Sequence, residues 1–176
     1  MMRRSDTIGT LLDGVVAGIA ATWLMGKVTE FLYRREDPRA REREERVRQG
    51  RSSYQTAAEK LARLVGKRLS EEESKRYGRV LHWALGAGAG AAYALLRDRI
   101  PAASAAGGLL FGTAFFLLMD EGVVYALGLT PGPREFPWQS HARGLAGHLA
   151  YGATTERVLT LLEGTARRSR LDGAGG

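Results

Sequence analysis

From Ala102 to Met119 the chain reads AASAAGGLLFGTAFFLLM, eighteen residues without one charged side chain. About 18 or more apolar residues in a row are enough for a helix to cross the hydrocarbon of a bilayer. The surface helix of a soluble domain needs only one apolar stripe. This run therefore points to a membrane-spanning helix. Composition does not oppose it: 176 residues make about one domain, and a hydrophobic content of 44% suits a soluble fold or a membrane protein.

Three more segments resemble this run less purely. VLHWALGAGAGAAYALL (80–96) has His82 as its one group that ionises near neutral pH, and GVVAGIAATWLMG (14–26) is flanked by Asp13, Lys27 and Glu30. Residues 144–162 contain Glu156 and Arg157, which on insertion scales cost about 2.5–3.5 kcal/mol each at mid-bilayer and so require neighbouring helices around them. The expected fold is all-α. It is a single polytopic membrane domain with four transmembrane helices, at about 8–32, 79–97, 102–129 and 141–163, and a charged helical insertion at 33–78 between the first and second.

The first apolar segment has a competing reading as a signal peptide, since Arg3 and Arg4 precede it and AGIAA offers small residues. Asp13 falls where such a peptide is already apolar, and the helical pattern continues through GKVTEFLY, so a span is the stronger reading. The chain has no cysteine, which excludes disulfides, thiolate metal sites, cysteine nucleophiles and S-acylation.

Glycine spacing explains how such spans associate. Lipid gives no hydrophobic drive between helices, so close backbone packing must supply much of the attraction. Gly14 and Gly18, Gly86 and Gly90, and Gly108 and Gly112 are GxxxG pairs in three different spans, and each pair flattens one helix face. Gly88 joins them as a position where a larger side chain is expected to disturb the bundle.

The insertion opens with YRREDPRAREREERVRQG. Asp37 suits an N-cap, Pro38 the first helical position and Gly50 a stop, and the interleaved charges predict a solvated helix laced with intrahelical ion pairs. Positions 38–50 hold no aromatic residue, which argues against base stacking and against a nucleic-acid partner. Residues 54–69 then show Tyr54, Ala58, Leu61, Val65 and Leu69 at helical steps beside Lys60, Arg63, Lys67 and Arg68. That amphipathic basic helix either lies on a lipid surface or packs against the protein. Ser70 and Glu73 have capping-box spacing and start the helix that leads into the second span.

The third and fourth spans are joined by LTPGPREFPW, whose prolines and Gly132 force a reversal and whose Phe136 and Trp138 suit a membrane interface. Just before it, Asp120 and Glu121 fall where the apolar helix has not obviously ended, and acids there demand partners. The fourth span supplies candidates: positions 141, 144, 148, 152 and 156 drift round one stripe that reads His, Gly, His, Gly, Glu. Asp120, Glu121, His141, His148 and Glu156 are therefore read as one intramembrane polar cluster. Three roles stay open for it: a hydrogen-bonded seam holding helices in register, a proton-responsive or conducting site, and a metal site. The last is weakest, because seven residues separate the histidines by about 10 Å along a helix. No metal and no cofactor is expected. Enzymatic signatures are missing too: there is no GxSxG, HExxH or Walker loop, and GAGAG (86–90) has no preceding strand.

The ordered set Leu129-Thr130-Pro131, Pro137-Trp138, Gly147-His148-Leu149, Tyr151 and Glu156, with DGVVAGIAATWLMGKVTEFLYRREDP near the start, resembles the YagU-like family of bacterial inner-membrane proteins. The resemblance covers about a third of the chain and implies a multi-pass inner-membrane protein of unknown activity, with an association to acid stress. The charged insertion departs from the cysteine-containing loop of the family's namesake, so nothing transfers there. The expected function is that of a non-enzymatic structural or stress-related membrane component, the alternative a proton- or ion-handling bundle. Its expected partners are the lipid bilayer and a second copy of the chain or another membrane protein.

Orientation signals compete. Segments 33–79 and 130–143 hold seventeen Lys and Arg, against seven in the termini and the 97–99 loop, which places the insertion in the cytoplasm. Arg3 and Arg4 directly before the first span argue the reverse.

Overall fold

The computed structural model describes residues 4–97 and 99–172, with the side chains of 4–6, 101 and 166–172 set aside. Among the described residues every regular element is helical. Four long stretches, α1 (Arg4–Tyr33), α4 (Glu71–Leu96), the segment built on α5 (Leu109–Leu118), and α7 (Trp138–Asp172), form a bundle. Two short helices, α2 (Pro38–Arg48) and α3 (Ser53–Leu64), make up the insertion.

Local sequence explains most of the boundaries. Asp37 accepts a hydrogen bond from the Arg39 amide at 2.7 Å, with Pro38 at the first position of α2. The end of α2 differs from the expectation: the left-handed cap is Gln49 (φ 51°), one residue before Gly50. Ser52 and Gln55 form a capping box on α3, and Ser70 and Glu73 form one on α4.

The third expected span, 102–129, is not one helix. Residues Pro101–Gly108 form a 3-10 segment broken at Ala105, Ala106 and Gly107, and only then does α5 begin. Alanine and glycine give this stretch apolarity but no bulk, and Gly107 and Gly108 adopt positive φ, which stops an α-helix from extending backwards through them. α5 leads into a π-helical turn, Met119–Val123, and α6 (Val124–Ala126) completes the segment.

Among the described residues two segments are long and apolar enough to cross a bilayer, Thr7–Tyr33 and Ala102–Ala126. α4 and α7 have the length without the apolarity: α4 opens with Glu71, Glu72, Glu73, Lys75 and Arg76, and α7 carries Glu156, Arg157 and Glu163.

The bundle core is thin and built of small residues. Ala17 and Ala21 of α1 are fully buried, together with Tyr93, Tyr151 and Thr155. α1 meets α4 through glycine: a Cβ on Gly14 would lie 2.6 Å from the Ala91 Cα, and one on Gly90 would lie 2.6 Å from the Gly18 Cα. Gly86 faces Thr22, whose hydroxyl is held by the Gly18 carbonyl at 2.7 Å. On the other side of the bundle, Gly108 and Gly112 face the backbone of α7 at Gly152 and His148. Gly152, which no GxxxG pair marked, completes that contact. Gly88 faces open space, contrary to expectation, because two residues along a helix turn a side chain by about 200° from Gly86 and Gly90.

Candidate functional site

The acidic pair sits on the π turn. There the Val124 amide reaches back five residues to the Met119 carbonyl, which adds a residue to the turn and re-aims Asp120 and Glu121. Single π turns of this kind recur at functional sites. Here the turn brings both acids against the start of α7 and separates their partners: Glu121 meets His141, with Oε1 at 2.6 Å from Nδ1, and Asp120 lies 3.7 Å from Nδ1 of His148.

The two histidines differ in their other contacts. His141 Nε2 lies 3.0 Å from the Pro133 carbonyl, an oxygen that only accepts, so Nε2 carries a proton. Its Nδ1 faces the Glu121 carboxylate within hydrogen-bond distance. His148 donates from Nδ1 to the Gly144 carbonyl at 3.0 Å, which orients its ring between Phe115 and Phe116.

Both acids and His141 border a cavity of about 270 Å³ between the insertion and the bundle. Its wall includes Asp120, Glu121, His141, His82, Tyr54 and Arg48. The Nδ1 of His82 is buried and has no hydrogen-bond partner among the described residues, and the His82 ring packs edge-on against Tyr54 at 4.7 Å. Burial, with the Asp120 charge nearby, raises the Tyr54 phenol above its ordinary pKa and keeps it a neutral donor. Deeper in the bundle the path is filled by rings: Phe115 stacks on Phe111 at 5.8 Å, and Phe111 meets Tyr93 at 4.5 Å.

Glu156 does not belong to this group. Eight residues beyond His148 amount to about 12 Å of helix. It hydrogen-bonds instead to the Tyr93 hydroxyl at 2.5 Å, with Arg97 at 3.7 Å. The stripe read from the sequence is therefore two sites: an acid and histidine group beneath the insertion, and a Tyr93–Glu156–Arg97 group near the other end of the bundle, where Arg97 also pairs with Glu163 at 2.8 Å. Among the described residues no set of three or more His, Asp or Glu is placed to hold one metal ion.

A third group was missed by sequence reasoning. Arg143 reaches Glu36 at 2.5 Å and Glu44 at 2.5 Å, all three side chains being about nine-tenths buried. Glu44 also accepts from Arg48 at 2.7 Å and Ser140 at 2.9 Å, and the Arg143 guanidinium lies 4.9 Å from the Tyr33 ring centroid. Burial by itself would raise the Glu44 carboxyl, but the hydrogen bond from Arg143 and the charges of Arg48 and Arg143 outweigh it and hold Glu44 below its ordinary value. α2 is thus not a wholly solvated helix. Ala40, Glu44 and Arg48 are four residues apart and share one face, a pattern that interleaved charges concealed. Arg43 adds a hydrogen bond to the Glu135 carbonyl at 3.0 Å, so α2 clasps the connector and the start of α7.

No protein-family model matches this chain, and no curated protein or solved structure matches it.

Proposed function

We propose that this chain is a non-enzymatic integral protein of the bacterial inner membrane, with four helices in the bilayer and a proton-responsive chamber under a cytoplasmic insertion. Exposure supports the membrane location. The apolar windows of Thr7–Tyr33 and Ala102–Ala126 are only 28% and 17% buried within the chain, whereas the core helix of a soluble protein is mostly buried. Bulky apolar side chains such as Val16, Trp23, Val80, Leu118 and Leu161 stand exposed on all four long stretches, a surface suited to lipid and poorly suited to water. The YagU-like resemblance points the same way, and the excess of cations on the insertion side favours a cytoplasmic insertion.

The observation that carries the chamber's role is the 2.6 Å contact between Glu121 and His141 on the cavity wall. An imidazole against a carboxylate, in a partly enclosed site, suits proton exchange in response to pH, and the π turn beneath it offers a backbone that can rewind. A role in acid stress fits this chemistry. The packed rings of Phe111, Phe115 and Tyr93 favour a second reading, in which the cluster only holds the bundle in register. Infrared difference spectra between acid and neutral pH, on the protein in nanodiscs, distinguish the two. Proton response is expected to give a carboxyl signal that Glu121→Gln removes together with a pH-dependent backbone change. A backbone spectrum indifferent to pH in the wild type would leave the register role and remove the proton-responsive one.

A further inference from the structure

The inner face of α3 is fully used. Ala58 is buried, the α3 backbone at Gln55 lies against Gly78 of α4, and the Ser74 hydroxyl donates to Glu59 at 2.8 Å. Its outer edge has no partner among the described residues: Leu64 is 82% exposed, Val65 71% and Leu61 52%. Cations border that edge. Arg51, Arg63 and Arg68 line an open cavity of about 490 Å³ whose only carboxylate among the described residues is Glu59, which bonds Arg51 at 2.8 Å and lies 3.7 Å from Arg63. Lys67 is exposed on the same turn.

The position of α3 sets its depth. Lys60 donates to the carbonyls of Leu127 and Gly128 at 2.6 and 3.0 Å, which fastens α3 to the residues directly after the apolar segment Ala102–Ala126. An apolar edge flanked by three guanidinium groups that share one carboxylate, held level with the end of a spanning segment, has the chemistry of an interfacial anchor: side chains enter the acyl boundary while cations meet phosphates. We infer that the α3 edge, Leu61, Leu64 and Val65 with Arg63, Lys67 and Arg68, docks on anionic lipid headgroups of the same membrane. This rests on the membrane reading above.

Because the chain lacks cysteine, single cysteines carrying an environment-sensitive dye can be placed in the full-length protein in nanodiscs. Leu64→Cys reports docking, Glu42→Cys on the exposed side of α2 reports water, and Ile19→Cys reports insertion. In discs containing phosphatidylglycerol the Leu64 dye is expected to be shielded from an aqueous quencher, and in phosphatidylcholine discs much less so. Adding inorganic phosphate to phosphatidylcholine discs is expected to change nothing, since a free anion offers no acyl boundary. Each of R63Q, K67Q and R68Q is expected to weaken docking about fivefold, the usual effect of one cation near an anionic surface. A Leu64 dye as accessible as the Glu42 dye in both lipids, while the Ile19 dye is shielded, would overturn the docking surface alone. Protection by free phosphate would also overturn it, in favour of a soluble anion site. An Ile19 dye open to water would overturn the membrane reading and the docking surface together.

Discussion

The α1–α4 seam and the insertion-side end of the bundle are held by opposite means. At the seam, Gly14, Gly18, Gly86 and Gly90 bring two backbones together with no charged side chain between them. At the other end, Arg143, Glu36, Glu44 and Arg48 join α2 to α7 through buried charges. Van der Waals packing depends on shape and ignores pH, and a lost contact there cannot be restored by solvent. Buried ion pairs depend on the protonation of each member, and removing one leaves its partners charged in a poor solvent. The first kind of joint makes a permanent frame, the second a releasable clasp.

The largest expected effect is on the clasp. Arg143→Ala leaves buried Glu36 without its guanidinium and Glu44 with Arg48 alone, and is expected to cost about 3–5 kcal/mol locally. In limited trypsin digestion, cleavage after Arg51 should accelerate well before bundle helicity is lost; unchanged cleavage would show that α2 is held otherwise. The frame comes next. Gly90→Leu forces a side chain into the Gly18 backbone and is expected to cost about 1–3 kcal/mol or more, while Gly88→Leu, which faces open space, should leave the thermal midpoint nearly unchanged. Equal losses at both positions would break the assignment of the seam.

Acidification should separate the two regions further. The folded Glu44 pKa is depressed, so its contribution is present above the ordinary carboxylate range and disappears as pH falls through the lowered value. Protease sensitivity of the insertion is therefore expected to rise on acidification below that range, with the glycine seam unaffected, and Glu44→Gln should flatten the dependence while weakening the clasp at neutral pH. The smallest effect belongs to the exposed pair on α2, Arg46 and Glu42, about 70% exposed and 3.9 Å apart. Arg46→Gln should change stability by no more than about 0.3–0.5 kcal/mol. A larger loss would mean that α2 has a partner on its outer face.

The elements that depend on neighbouring residues were legible along the chain. The capping residues Asp37 and Ser70, the connector prolines and the glycine pairs each act through residues within one or two turns, so their spacing states their role. Asp120 and Glu121 were recognisable as acids in need of partners, and His141 and His148 as the imidazoles facing them. Their assignment to separate partners was not, because it depends on the π turn, and a residue gained in a helix leaves no mark in hydrophobic periodicity.

The amino-acid sequence alone determined that the chain is helical, where its apolar segments run and which faces bear glycine, since these follow from local propensity and from the period of 3.6 residues. Tertiary structure decided three things that local rules cannot reach. It broke the 102–129 segment where Gly108 meets the backbone of α7, and it sent Glu156 to Tyr93 instead of the histidines. It also joined Arg143 to Glu36 and Glu44, 107 and 99 residues away in the chain, in one buried network. The reason is common to all three: a buried charge or a crowded backbone is resolved by whichever group lies nearest in space, and sequence separation does not enter that energy.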